Sequence, residues 1–227
     1  MRRLLLSCLM VGFAAAGVVT PGILGWWPLD GTRNDVSGNG WTTGLVGSPT
    51  VITGIFGNCD SFDGNDADTV GHIDCNTALT VCAWIRASTT IGTQSIFTNC
   101  SAGGGGLDYL LELNRPAAGK LGFWWGNVEL LQSKATLEAN TWYHVVGIRS
   151  GVTSNWTASI YVNGALDTIK TGITTNPNAS NVLTAIGRLG GCNVMYFKGR
   201  IEDVRLYGRA LSVRDIQRVM MGMSPIE

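Results

Sequence analysis

Five short runs rich in β-branched and aromatic residues recur along the chain: TVCAWIRA (80–87), DYLLELN (108–114), KLGFWWG (120–126), WYHVVGIRS (142–150) and TASIYVNG (157–164). Each is bounded by turn-forming residues, and runs of this length and make-up read as strands. In TASIYVNGALDT the Asn163-Gly164 pair interrupts two extended runs. That dipeptide takes positive φ at both turn positions, so it predicts a two-residue hairpin. GGGG at 103–106 and TGITTNPNAS at 171–180 read as loops. A helical period emerges only near the C-terminus, where Ser212 can cap a first turn, Asp215 follows three residues on, and Ile216, Val219 and Met220 share a face. Many short strands with no helices between them predict an all-β, antiparallel two-sheet sandwich with one short C-terminal helix.

Composition agrees with a β-protein: 31 of 227 residues are Gly and eight are Trp. Sixteen basic and sixteen acidic residues cancel. No run of Lys or Arg follows position 3, so counterion release from nucleic acid has little to act on and that partner is excluded. Six cysteines, at 8, 59, 75, 82, 100 and 192, become five if the N-terminal segment is removed. An odd count closes a disulfide framework poorly, and the spacings are not those of a zinc site. Each cysteine reads as a small buried apolar side chain or, in an oxidising compartment, as half of one of one or two surface-loop bridges, with no pairing assigned.

Residues 1–24 form an apolar N-terminal segment, and 25–227 a single domain. Arg2 and Arg3 precede the apolar stretch 4–16, and Ala14-Ala15-Ala16 suits a secretory peptidase, so the segment reads as a signal-like leader. The other reading is a retained assembly arm, in which Leu4, Leu5, Leu6, Val11, Phe13 and Val18 are buried against a neighbouring protein.

The order of motifs is more specific than any single one: GWWPLDGTRNDVSGNG, SFDGNDADTVGH, ALTVCAWIRA, NTWYHVVGIRS, SIYVNGAL, AIGR and FKGRIEDVRLYGRALSVRDI. This series resembles the laminin G-like (LamG) jelly roll of the concanavalin A-like lectin and glucanase superfamily over about residues 25–221. The resemblance implies two packed antiparallel sheets, one curved into a concave face. Trp84, Trp142 and Tyr161 are expected to fill the gap of roughly 10 Å between them. Strand alternation sends Trp124 and Trp125 to opposite faces, one buried and one exposed, which makes the pair the candidate ligand contact.

Glycosidases of the superfamily carry two carboxylates in a Glu-x-Asp-x-x-Glu run. Here Glu112, Glu129, Glu138, Glu202 and Glu227 are scattered, and neither His72 nor His144 lies near a nucleophile motif, so no enzyme is expected. Oxygen-rich turns hold Asp30, Asp35, Asp63 and Asp203 as candidate ligands for calcium, the one cofactor that the resemblance suggests. Their alternative role is to stabilise turns by side-chain to backbone hydrogen bonds. The expected function is a non-enzymatic structural or binding module shown on a surface. The leading carrier is a bacteriophage virion, with other virion or surface-assembly proteins, further copies of itself and glycans as candidate partners. The alternatives are a secreted or cell-surface carbohydrate-binding lectin with a cleaved leader and, disfavoured by the missing carboxylate pair, a glycoside hydrolase.

Overall fold

The computed structural model describes residues 22–226 apart from 42, 74, 76, 101–105, 116, 128 and 179–182. The six proposed arm residues, Leu4 to Val18, and Cys8 lie outside the described residues.

Two antiparallel sheets face each other. The first runs β13 (Ala165–Ile173), β12 (Asn155–Val162), β11 (Tyr143–Val152), β6 (Leu79–Ala87), β15 (Lys198–Tyr207), β4 (Asn58–Asp63) and β3 (Thr50–Thr53). The half of β15 beyond Asp203 pairs instead with β1 (Ile23–Trp27). The second runs β10 (Glu129–Gln132), β9 (Leu121–Trp125), β8 (Leu107–Leu113), β7 (Gln94–Cys100), β14 (Leu183–Ile186), β5 (Ala67–Val70) and β2 (Thr43–Val46). A single helix, α1 (Val213–Met220), packs against the outer face of the first sheet and buries Ile216 and Val219. Ser212 caps it by accepting from Asp215 N, as its sequence position predicts. The five expected strands and the 163–164 turn are all present, with φ of 50° and 77° at Asn163 and Gly164.

Alternation explains the core. In β6, Leu79, Val81, Ala83 and Ile85 point between the sheets, and Cys82 points outward beneath α1. Trp84 has the parity of Cys82, so it also leaves the core, which corrects the expectation from size alone. It is half-buried, its indole N–H donates to Met220 O at 3.2 Å, and its ring packs on Phe56 and His144. Tyr161 packs with the same outer cluster, and Trp142 is half-buried just ahead of β11. The rings between the sheets are instead those of Trp27, Phe62, Phe97, Tyr109, Phe123, Trp125, Trp156 and Phe197. Gly147 makes room for one of them, because a Cβ there would stand 2.6 Å from the Phe123 ring.

Arg149 and Arg33 make ion pairs with buried aspartates that went unforeseen in the sequence. Arg149, fully buried on β11, reaches Asp108 on β8 at 3.3 Å and also donates to Thr77 O and Cys75 O. Arg33, from the loop after β1, meets Asp60 and Asp68 at 3.0 Å each, so one guanidinium ties β4 of one sheet to β5 of the other.

Candidate functional site

The outer face of the second sheet carries a row of side chains set by register: Ala185 pairs with Thr98, Thr98 with Leu110, and Leu110 with Trp124. In LGFWW of β9, Leu121, Phe123 and Trp125 face the core, so Gly122 and Trp124 face outward. Trp125 is fully buried with its N–H on Thr175 O at 2.9 Å, and this removes it from the candidate ligand contacts. Trp124 is half-buried and borders a groove of about 220 Å³ whose walls include Cys100, Leu107, Leu110, Arg115, Leu189 and Met195. Its N–H donates to Glu112 Oε1 at 2.6 Å, which fixes the ring against the sheet.

Glu112 lies fully buried beneath this platform, two residues from Leu110 and on the same face. Desolvation pushes its carboxyl up to about 7, against the pull of the Trp124 hydrogen bond and the Arg115 charge. The Arg115 guanidinium stands 4.6 Å from the centre of the Trp124 ring and is itself exposed. A cation–π contact at an exposed site contributes only about 0.5–1 kcal/mol, so this cover can swing aside at little cost. An indole edge-locked from below, next to a fork of five donors and apolar walls, can stack against a sugar ring and donate to its hydroxyls or to a carboxylate. Glu112 and Arg115 are site residues that sequence reasoning missed. The outward parity of DYLLEL, once Tyr109 and Leu111 are known to be core, is the signal that finds Glu112.

A second cavity, of about 270 Å³, lies on the opposite face between Trp26, Phe56, Met221 and the β15 bulge. Its charged groups are already satisfied. Asp203 accepts from Arg205 Nε and Nη2 at 2.9 Å and from Trp26 Nε1 at 2.6 Å, and Glu202 accepts from the amides of Ile55 and Phe56. Asp30 and Asn58 also border it, but Asp203 and Glu202 are held by the protein itself, so it is the weaker sugar site although it is larger than the Trp124 groove.

Of the proposed calcium ligands, Asp30 and Asp203 both border this cavity, but the four do not form one cluster. Asp30 accepts from the amide and hydroxyl of Thr32, and Asp63 from Asn65 N. Asp35 accepts from Trp26 N, Trp41 N and both donors of Ser37, while Asp203 is held by Arg205 and Trp26. Among the described residues no three or more His, Cys, Asp or Glu side chains stand together as a metal site. The four carboxylates hold turns and an ion pair, which is the alternative role that their sequence context offers.

The same architecture recurs in known structures. Domain 4 of AbnA, a GH43 extracellular arabinanase from Geobacillus stearothermophilus solved with arabinotriose, matches with a TM-score of 0.69 at 17% identity, over 86% of this chain and 96% of that one. The binding domain of Paraclostridial Mosquitocidal Protein 1 matches with a TM-score of 0.69 at 14% identity, over 89% of this chain and 52% of that one. A botulinum neurotoxin DC binding domain solved with SialylT gives 0.67 at 12% identity, over 90% and 52%. The chain therefore spans about half the length of the toxin binding domains that it matches. No curated protein matches the sequence. The Laminin_G_3 model, described as the concanavalin A-like lectin/glucanases superfamily, matches residues 60–217, more than half of the chain. With its two antiparallel sheets and single closing helix, the chain belongs to this family.

Proposed function

We propose that the chain is a non-catalytic carbohydrate-binding module that works on an outer surface and holds sugar in the groove beside Trp124. The observation that carries this reading is the half-buried indole, fixed by Glu112 and bordered by the exposed Arg115. Two structural neighbours were solved with saccharides, arabinotriose and SialylT, which supports a glycan as the ligand class. The extracellular arabinanase and the toxin binding domains support a place outside the cell. Catalysis is disfavoured because glycosidases need two carboxyl groups across the scissile bond, roughly 5–10 Å apart. Among the described residues the groove walls hold no carboxylate, and Glu112 and Glu202 lie on different sheets.

The test is retention of the purified protein on an array of neutral and sialylated oligosaccharides, with Trp124→Ala as the control. Binding to at least one glycan class that falls at least tenfold in the variant supports the reading. An array with no retained glycan, or retention indifferent to Trp124, overturns it. A virion and a secreted or cell-surface protein remain the two proposed carriers of this module. The N-terminus of the natural protein separates them: one near Gly17 means export and processing, and one at Met1 means a retained arm.

A further inference from the structure

The turn after β14 is seated on the end of β7. Gly191 N donates to Cys100 O at 3.0 Å, and a Cβ added at Gly190 would stand 2.0 Å from Leu183 O and 3.2 Å from Cys100 O. Only a residue without a side chain allows this approach. The register of β14 on β7 places Leu183 opposite Cys100, and the turn folds back over that pair, so that Cys192 directly follows the residue hydrogen-bonded to Cys100 O and lies close enough for its charge to act on the Cys100 thiol. Cys100 is 2% exposed and lines the groove, while Cys192 is half-buried. The same turn supplies Leu189, a wall of the groove, and is closed by Cys192 N on Leu189 O and Leu189 N on Val194 O.

The other described cysteines sit elsewhere. Cys59 is fully buried on β4, Cys75 lies in the main core with its thiol on Ala78 O, and Cys82 is sealed under α1 with its thiol on Arg205 O. We propose that Cys100 and Cys192 are joined by a disulfide when the chain meets an oxidising environment, and that this bond clamps the turn carrying the Leu189 wall of the groove.

The order of steps follows from accessibility, because the thiolate is the nucleophile and the more accessible sulfur reacts first. With oxidised glutathione as the oxidant, the Cys192 thiolate attacks one of its sulfurs and releases one glutathione thiolate. Cys100 then loses its proton and attacks Cys192 Sγ, which releases the second. Two protein thiols lose two protons and two electrons, and one glutathione disulfide becomes two thiols. Desolvation and then the charge of Cys192 push the Cys100 thiol up to about 11. Capping Cys192 as a mixed disulfide removes the second cause, so the first step eases the second.

The test uses the full chain, incubated in a glutathione redox buffer and mapped without reduction by mass spectrometry. The expected product is lighter than the reduced chain by two hydrogens and yields one peptide pair joining positions 100 and 192. Amide exchange at 189–192 should slow relative to the reduced chain. Cys100→Ser should instead retain a glutathione adduct on Cys192. A wild-type chain that accumulates this adduct without the 100–192 peptide pair overturns the bond, and a bridged chain with unchanged exchange at 189–192 overturns the clamp. The role for the wall rests on the carbohydrate-binding reading, but neither readout involves a glycan, so the two ideas fail separately.

Discussion

Trp124 on β9 donates its indole N–H to Glu112 Oε1 on β8 at 2.6 Å, and the carboxyl beneath it is fully buried. Its folded value of about 7 lies above the ordinary 4.5, so the folded state binds this proton more tightly than the unfolded chain. The resulting stability is present below about pH 4.5 and is lost as pH rises through 7. Glu112→Gln keeps an acceptor for the indole and removes the titration. Denaturant midpoints should show the variant about 1–3 kcal/mol less penalised than wild type at pH 8, with little difference at pH 4. An equal gap at both values would mean that Glu112 is not the titrating group.

The neighbouring indoles should separate stability from binding. Trp125→Ala removes a fully buried ring and is expected to cost about 3–5 kcal/mol, read from denaturant unfolding. Trp124→Ala removes a half-buried ring from the outer face and should cost less than about 2 kcal/mol while abolishing glycan retention. If the two variants lose stability equally, the platform is part of the core and not a ligand surface.

These contrasts show which features a sequence displays. The Asn163-Gly164 turn and the Ser212 cap were legible because each depends on atoms a few residues apart. That Trp124 and Trp125 take opposite faces followed from parity alone, whereas which of the two is buried did not. Trp84 was misplaced because ring size outweighed parity, although Val81 and Ala83 already assign its face. Asp30, Asp35, Asp63 and Asp203 drew a calcium reading because oxygen-rich turns and calcium loops share a composition, whereas the turn and ion-pair contacts that each carboxylate makes depend on partners that composition does not display. Arg149 in WYHVVGIRS was invisible as a core residue, since its burial depends on Asp108, 41 residues away on the other sheet.

That pair yields its own prediction. Arg149 is fully buried, lies 5.8 Å and 5.7 Å from the Trp125 and Trp156 ring centres, and ends on Asp108. Removing one partner strands a buried charge, so Arg149→Met should destabilise the fold by about 3–5 kcal/mol. Replacing both residues together with apolar side chains should recover much of that loss, because the desolvation cost disappears with the charges. A double variant as unstable as the single one would locate the cost in packing and not in charge.

Three buried groups should set opposite pH limits on the fold. His144 is 1% exposed under Trp84, and desolvation followed by the Arg205 charge lowers it to about 3 from 6.5. It is buried neutral, so the stability it contributes is present above 6.5 and is lost as pH falls toward 3. Asp60 and Asp68 act the other way. Both are fully buried around Arg33, and desolvation, only partly offset by that guanidinium, raises them to about 6 and about 7. Because the two interact, they lose their protons as a coupled pair. The stability they contribute is present below the ordinary carboxylate value near 3.8 and fades as pH rises through 6 and 7. Between about pH 4 and 6 the rise from one histidine is outweighed by the fall from two aspartates, so thermal midpoints should peak near about pH 4 and fall on both sides. His144→Phe should raise the acid limb alone, and Asp68→Asn should flatten the neutral limb alone. A wild-type midpoint that climbs steadily from pH 4 to 8 would show that Arg33 holds both carboxylates ionised.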